Sequence, residues 1–172
     1  MFFMITYSAT AERFTVEIDG LSFSTLSDST ARVNKSSQMG ENKDIVIPSE
    51  VTINGNNYII TEIGDFSKTD IVSVEIPSSV TKINYKAFHQ CSELINVYFS
   101  ANSQLSGLGE RAFSQCTSLT SVNFSELAKL KTIGSYAFYE CTSLVSVNFS
   151  ELMQKISDHA FSGCTSLTSV NF

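Results

Sequence analysis

Residues 112–124 read AFSQCTSLTSVNF, and this stretch recurs along the chain. Close copies are AFHQCSELINVYF at 87–99, AFYECTSLVSVNF at 137–149 and AFSGCTSLTSVNF at 160–172, so the period is 25, 25 and 23 residues. A shorter, degenerate copy, IGDFSKTDIVSVEIP, precedes them at 63–77. Self-similarity at a period of about 20–50 residues is typical of stacked repeats. The sequence therefore predicts a solenoid of five tandem units over residues 63–172.

The apolar spacing within each unit predicts a strand. The order L-x-x-V-x-F agrees with the leucine-rich-repeat template L-x-x-L-x-L. Val122 and Phe124 alternate with Ser121 and Asn123, a period-two pattern that indicates one buried and one outward face. Like strands of successive units should then stack side by side into a parallel, concave sheet.

The segment before each strand predicts a short helical connection. Ala137, Phe138 and Cys141 follow Gly134 at helical spacing, which indicates one or two helical turns on the convex side. The fold class expected from both patterns is an α/β repeat solenoid of the leucine-rich-repeat kind.

Stacking also predicts two columns of phenylalanine in the core. Burial of each large side chain contributes about 1.5–3 kcal/mol, opposed by chain entropy of similar total size. The columns are Phe88, Phe113, Phe138 and Phe161, and Phe99, Phe124, Phe149 and Phe172.

Residues 12–62 precede the repeats and are predicted to form an N-terminal β-hairpin cap. Alternating residues flank Asp19-Gly20, a two-residue hairpin turn, and a second hairpin is expected around Asn54-Gly55. An end repeat leaves its apolar face and strand edge bare, so solenoids need a distinct cap. Residues 1–11 allow two readings, an export-signal remnant ending in Ala9-Thr10-Ala11 or a plain tail.

The run IPSSVTKINYKAFHQCSEL at 76–94 and its successors resemble the BspA-like surface proteins, whose leucine-rich repeats belong to the Treponema pallidum type. The resemblance covers about residues 63–172. Asn84 and Ser157 depart from it, because glycine usually follows the isoleucine there, and the unit at 63–77 lacks the A-F-x-x-C core. The resemblance implies a non-enzymatic adhesion or interaction module at the cell surface or outside the cell, recognising host or neighbouring-cell proteins.

Composition excludes several classes of partner. The chain has 172 residues with 11 basic and 17 acidic side chains, a net charge of −6. Such a chain lacks the basic footprint that nucleic acid or an anionic membrane surface requires. The longest apolar run falls well short of the roughly 18 residues that span a bilayer, so no membrane insertion is expected.

The cysteines and histidines of the sequence are predicted to have structural roles and not catalytic or metal-binding ones. Cys91, Cys116, Cys141 and Cys164 recur once per repeat, and ligands stacked in a row at about 4.8 Å steps cannot converge on one tetrahedral metal ion. We expect free, buried thiols that act as small hydrophobes. No catalytic motif accompanies His89 or His159. The sequence therefore predicts no enzyme, no cofactor and no metal site.

The outward residues of the strands are the candidate binding surface. Apart from Glu75 and Tyr98 they are neutral, small and hydrogen-bonding, which suits a flat contact with a protein or glycan, and Tyr98 is the one large aromatic among them. The same residues have a structural explanation, since stacked amides bond to one another and keep a sheet soluble. The set is Ser73, Glu75, Asn96, Tyr98, Ser121, Asn123, Ser146, Asn148, Ser169 and Asn171.

Two further expectations concern the array as a whole. A purely structural spacer within a larger surface protein is the alternative to a binding module. Because the last strand at Phe172 is followed by no cap, we also expect a longer array, or end-to-end self-association through the C-terminal repeat.

Overall fold

The computed structural model describes residues 6–8, 13–41 and 43–172, and this part of the chain consists of strands and turns without a helix. In chain order the strands are β1 Thr6–Ser8, β2 Arg13–Ile18, β3 Leu21–Thr25, β4 Thr30–Lys35, β5 Asp44–Val46, β6 Glu50–Ile53, β7 Asn56–Ile63, β8 Ser73–Ile76, β9 Lys82–Ile83, β10 Asn96–Phe99, β11 Gly107–Leu108, β12 Ser121–Phe124, β13 Thr132–Ile133, β14 Ser146–Phe149, β15 Lys155–Ile156 and β16 Ser169–Asn171. Each repeat after β8 thus contains a longer strand and a two-residue strand.

The predicted cap hairpins are both present. Strands β2 and β3 pair antiparallel across Asp19-Gly20, and β6 and β7 pair across Asn54-Gly55. All four turn residues have positive φ, which Asn, Asp and Gly tolerate and which matches the twist of a two-residue hairpin. Strand β1 pairs antiparallel with β2, whereas Ala9-Thr10-Ala11 of the predicted cleavage site lie outside the described residues.

One sheet joins the cap to the repeats. Its order is β1-β2-β3-β4-β7-β9-β11-β13-β15, with β6 paired to the first half of β7. Strand β7 bonds in parallel to β4 on the cap side and to β9 on the repeat side. The two-residue strands were not predicted, because two residues are too few to show an alternating pattern.

The longer strands form two further sheets. Strands β5, β8 and β10 make one parallel sheet, and β12, β14 and β16 make another. No ladder joins β10 to β12 in this region, where both edges are described. The single continuous sheet that the sequence predicts is therefore divided in two.

The predicted helical turns are wrong. Between the strands the backbone makes a run of tight turns, in which Lys86, Phe88 and Gln90 donate their N–H groups to carbonyls of the next repeat at 2.7–3.0 Å. An α-helix would direct those N–H groups to carbonyls four residues earlier in the same segment. Lys86 and Gln90 also have φ near 60°, which interrupts a right-handed helix. We call this stacked set of turns the turn face.

The phenylalanine columns are observed. Phe66 extends the first column towards the cap, and neighbouring ring centroids in it lie 5.1–5.5 Å apart through Phe161. The second column has centroid spacings of 5.4–5.6 Å. Phe172 departs from the core prediction, since it follows β16 and is 68% exposed.

Candidate ligand-binding face

The residues predicted for binding occupy the outward positions of β8, β10, β12, β14 and β16, which we call the strand face. Inward neighbours such as Val74, Val122 and Val147 are buried, because successive side chains of a strand point to opposite sides. Parallel pairing aligns Ser121 with Ser146, and Asn123 with Asn148. The strand face thus repeats the same polar side chains from one repeat to the next.

Part of this polarity is used within the protein. The Asn171 side chain donates to Asn148 Oδ1 at 2.7 Å, and Asn123 Oδ1 accepts the backbone N–H of Ser125 at 3.0 Å. Ser73 Oγ donates to the Asp44 carboxylate of the neighbouring strand. The bond between Asn171 and Asn148 is of the kind that the structural explanation requires, in which stacked amides bond to one another.

The division of the sheet opens a cleft in the strand face. It has a volume of about 650 Å³ and lies between β10 and β12. Tyr98 and Asn123 line it from the strands, and the connections after each strand line the rest. The Tyr98 side chain is 53% exposed there. Of the ten predicted residues, these two meet in a concave site with an aromatic wall.

Sequence reasoning missed the contribution of the connections. The links at 100–106 and 125–131 contain seven residues each, whereas those at 77–81 and 150–154 contain five. The longer links bring Gln104, Glu126 and Lys129 to the cleft. The variation in link length was visible in the sequence and marks the two repeats that border the cleft.

The cysteines form a structural column. The Cys91, Cys116 and Cys141 side chains are buried, and each thiol donates to a backbone carbonyl of the preceding repeat at 3.1–3.2 Å. Burial raises the pKa of the Cys116 and Cys141 thiols well above the usual range. Cys164 is only half buried, which corrects the expectation for that residue. No described cysteine is in a disulfide.

The two histidines lie on the turn face. His89 is half buried with Nδ1 3.2 Å from the Ser114 carbonyl oxygen, and His159 is exposed and stacks on the Tyr136 ring. Burial and the nearby Lys86 and Arg111 hold the pKa of His89 below its ordinary value. Within the described ranges, no group of three potential ligand residues is arranged to hold a metal ion.

Comparison with protein families gives a match over most of the chain. The model of the BspA type leucine-rich repeat region matches residues 61–172 in six copies. A search of curated proteins found no match. In the part of the chain that the structure describes, no helix has the length and apolar character needed to cross a bilayer.

Several solved bacterial structures share the fold. The pneumococcal vaccine antigen PcpA superposes with a TM-score of 0.72 at 22% identity, over 91% of this chain and 46% of that chain. A leucine-rich repeat protein from Bacteroides capillosus superposes with a TM-score of 0.66 at 25% identity, over 91% of this chain and 96% of that chain. A leucine-rich cell surface protein from Faecalibacterium prausnitzii superposes with a TM-score of 0.60 at 22% identity, over 91% of this chain and 54% of that chain. This chain spans about half the length of the first and third proteins.

Proposed function

The chain belongs to the BspA-type leucine-rich repeat family, and from that premise we propose that it is a non-enzymatic recognition module that binds a protein or glycan through its strand face. The module would act at the cell surface or outside the cell. Two similar structures support this setting, since one is a vaccine antigen and another is described as a cell surface protein.

Tyr98 in the cleft between β10 and β12 is the observation that carries the proposal. A tyrosine offers a large, rigid contact area that loses little conformational entropy on binding, and such residues concentrate binding energy at interfaces. About half of the Tyr98 side chain is exposed. The equivalent residues of β12, β14 and β16 are asparagines, so Tyr98 is an exception in this column. Solubility of the sheet does not require an aromatic residue at that position.

The chemistry of the strand face suits recognition more than catalysis. Its outward residues are hydroxyls and amides, and Glu75 and Tyr98 are the titratable members of the ten. The Cys116 and Cys141 thiols are held in the protonated form by burial, which raises their pKa. A leucine-rich-repeat solenoid is also a typical scaffold for protein interactions, since its stacked strands present an extended surface.

A structural spacer is the second candidate. The sheet that runs from β1 to β15 bonds the cap to every repeat, which favours a rigid body that could hold another domain away from a surface. A spacer would bind nothing specifically through Tyr98 or Asn123.

Binding of the folded chain to a panel of extracellular-matrix proteins and neutral glycans, measured by surface plasmon resonance, tests the proposal. For a ligand that binds, Tyr98→Ala should weaken affinity about thirtyfold or more, because a hot-spot aromatic contributes about 2 kcal/mol or more. Asn123→Asp should weaken it by introducing a charge into the cleft.

Ile59→Ala is the matched control, since Ile59 is a cap residue that is 50% exposed, close to the exposure of Tyr98. It should leave affinity unchanged. Equal affinity of the native chain and both strand-face variants would contradict the proposal, and absence of any ligand in the panel would favour the spacer.

A further inference from the structure

The turn face contains a small pocket of different chemistry from the strand face. It has a volume of about 290 Å³, near the lower end of about 300–1,000 Å³ that is usual for ligand pockets. Its lining residues come from three successive repeats and are Lys86, His89, Arg111, Ser114, Gln115, Tyr136 and Tyr139. We call it the turn-face pocket.

The charge of this pocket is opposite to that of the chain. Lys86 and Arg111 line it and no carboxylate does, although the protein carries a net charge of −6. Two carboxylates, Glu140 and Glu110, contact lining residues without lining the pocket themselves. Glu140 accepts a hydrogen bond from the Gln115 side chain at 2.6 Å, and Glu110 Oε1 lies 3.6 Å from Arg111 Nη1 in a partly exposed pair. Two neighbouring cations therefore share a concave site without a closely bonded counter-charge.

The cations are held in place by the repeat geometry. Lys86, Arg111, Tyr136 and His159 occupy equivalent positions with φ of 56–58°, so their side chains leave the backbone in the same direction one repeat apart. The Arg111 guanidinium lies 4.9 Å from the Tyr136 ring centroid, and the His159 ring stacks on the same tyrosine at 5.0 Å. Stacking on an aromatic ring orients a guanidinium and leaves its N–H edge available to bond an anion.

The uncharged lining residues fit a group larger than a bare ion. The Gln115 amide lies at the pocket and bonds to Gln90 and Glu140, and the Tyr136 and Tyr139 rings meet edge to face at 5.6 Å, forming an aromatic wall. A sugar ring presents hydroxyls and C–H faces that match hydrogen-bonding and aromatic groups. A sulfate or phosphate presents the oxygens that Arg and Lys bind by charge-assisted hydrogen bonds.

From these observations we infer that the turn-face pocket binds a sulfate or phosphate ester carried on a sugar, with Lys86 and Arg111 holding the oxyanion. The site is separate from the strand face, and its occupancy does not depend on the function proposed for Tyr98. Two basic residues from adjacent repeats suit one ester group, whereas nucleic acid would need a longer basic track.

Isothermal titration calorimetry with glucosamine 6-sulfate, glucose 6-phosphate, glucose and inorganic sulfate tests the inference on the full chain. The two esters should bind, and glucose and inorganic sulfate should bind at least about tenfold more weakly, because each supplies only half of the contacts. The ester that binds more tightly shows whether the pocket prefers a sugar sulfate or a sugar phosphate. Ester affinity should also fall as salt is raised.

Lys86→Gln and Arg111→Gln should each weaken ester binding by about tenfold, since each removes a charge-assisted bond. Lys155→Gln removes the same charge from the exposed strand β15 and should have no effect. The Lys86 variant keeps the Arg111 to Tyr136 stack, so it remains informative if Arg111→Gln perturbs the fold. Three outcomes would overturn the inference: an equal loss of ester affinity in Lys155→Gln, inorganic sulfate binding as tightly as the esters, or no ester binding at millimolar concentration.

Discussion

Each cysteine of the repeats forms a sulfur-to-carbonyl bond that links two repeats. Cys116 Sγ donates to the Phe88 carbonyl at 3.1 Å, and Cys141 Sγ makes the equivalent bond to Phe113. A thiol is a weak donor, but it satisfies a buried carbonyl and fills the volume of a small apolar side chain. The column therefore stabilises stacking while the thiols remain protonated.

Thiol ionisation should destabilise the fold at alkaline pH. In the folded state the pKa of Cys141 is raised, so its contribution to stability is present below the unfolded pKa of about 8.5 and is lost as pH rises. Above that pH the free energy of unfolding should fall by up to about 1.4 kcal/mol per pH unit for this thiol.

Urea unfolding of the native chain and of Cys141→Ser between pH 8 and 10.5 measures this effect. Serine keeps a donor towards the Phe113 carbonyl but does not titrate there, so the variant should show a shallower decline. Equal slopes would contradict a buried, protonated Cys141.

Phe138 should contribute more to stability than any surface aromatic. Its ring lies between Phe113 at 5.4 Å and Phe161 at 5.3 Å and is fully buried, so Phe138→Ala should cost about 3–5 kcal/mol. Phe172→Ala, at a ring that is 68% exposed, should cost less than about 1 kcal/mol by the same urea measurement. A similar cost at both positions would show that the column is not a continuous core.

At the scale of one element, the turns on the turn face depend on close approach between repeats. Their N–H groups bond to the next repeat, so neighbouring backbones come near each other. A Cβ at Gly134 would lie 2.7 Å from the Glu110 nitrogen and the Gly109 carbonyl carbon, which are backbone atoms that cannot move aside easily. Glycine is therefore required here for space.

Gly134→Ala should destabilise the chain by about 1–3 kcal/mol, because overpacking forces the two repeats apart. Gly40→Ala is the matched control, since a Cβ there meets no atom of the described residues within 4 Å, and it should be neutral or stabilising by up to about 1 kcal/mol. Thermal unfolding of both variants measures the contrast, and a neutral Gly134→Ala would mean that the repeats separate without cost.

At the scale of the whole molecule, the cap and the repeats share one sheet and one continuous core. Strand β7 is bonded to β4, β6 and β9, and its Ile60 and Ile63 are fully buried in a core that continues through the repeats. In a stacked array the stability of each repeat depends on the interface with its neighbour. Damage to the cap should therefore weaken the first repeats.

Ile60→Ala should remove about 2–5 kcal/mol and lower amide protection in residues 66–99 as well as in the cap. Hydrogen exchange followed by mass spectrometry measures this change segment by segment. Reduced protection confined to residues 13–63 would contradict the coupling.

The sequence alone determined the repeat, the longer strand of each repeat and the cap hairpins. These features follow from local patterns. The alternation around Val122 and Phe124 sets which side chains of a strand point inward. The turn pairs Asp19-Gly20 and Asn54-Gly55 adopt the positive φ that a two-residue hairpin needs.

Only the tertiary structure decided how the repeats meet. The turns replaced the predicted helices because their N–H groups find carbonyls in the next repeat, a partner that no single segment contains. The divided sheet places Tyr98 in a cleft, and stacking brings Lys86 and Arg111, 25 residues apart in the chain, into one pocket. Hydrogen bonds and close packing between repeats govern these features, and they depend on three-dimensional register.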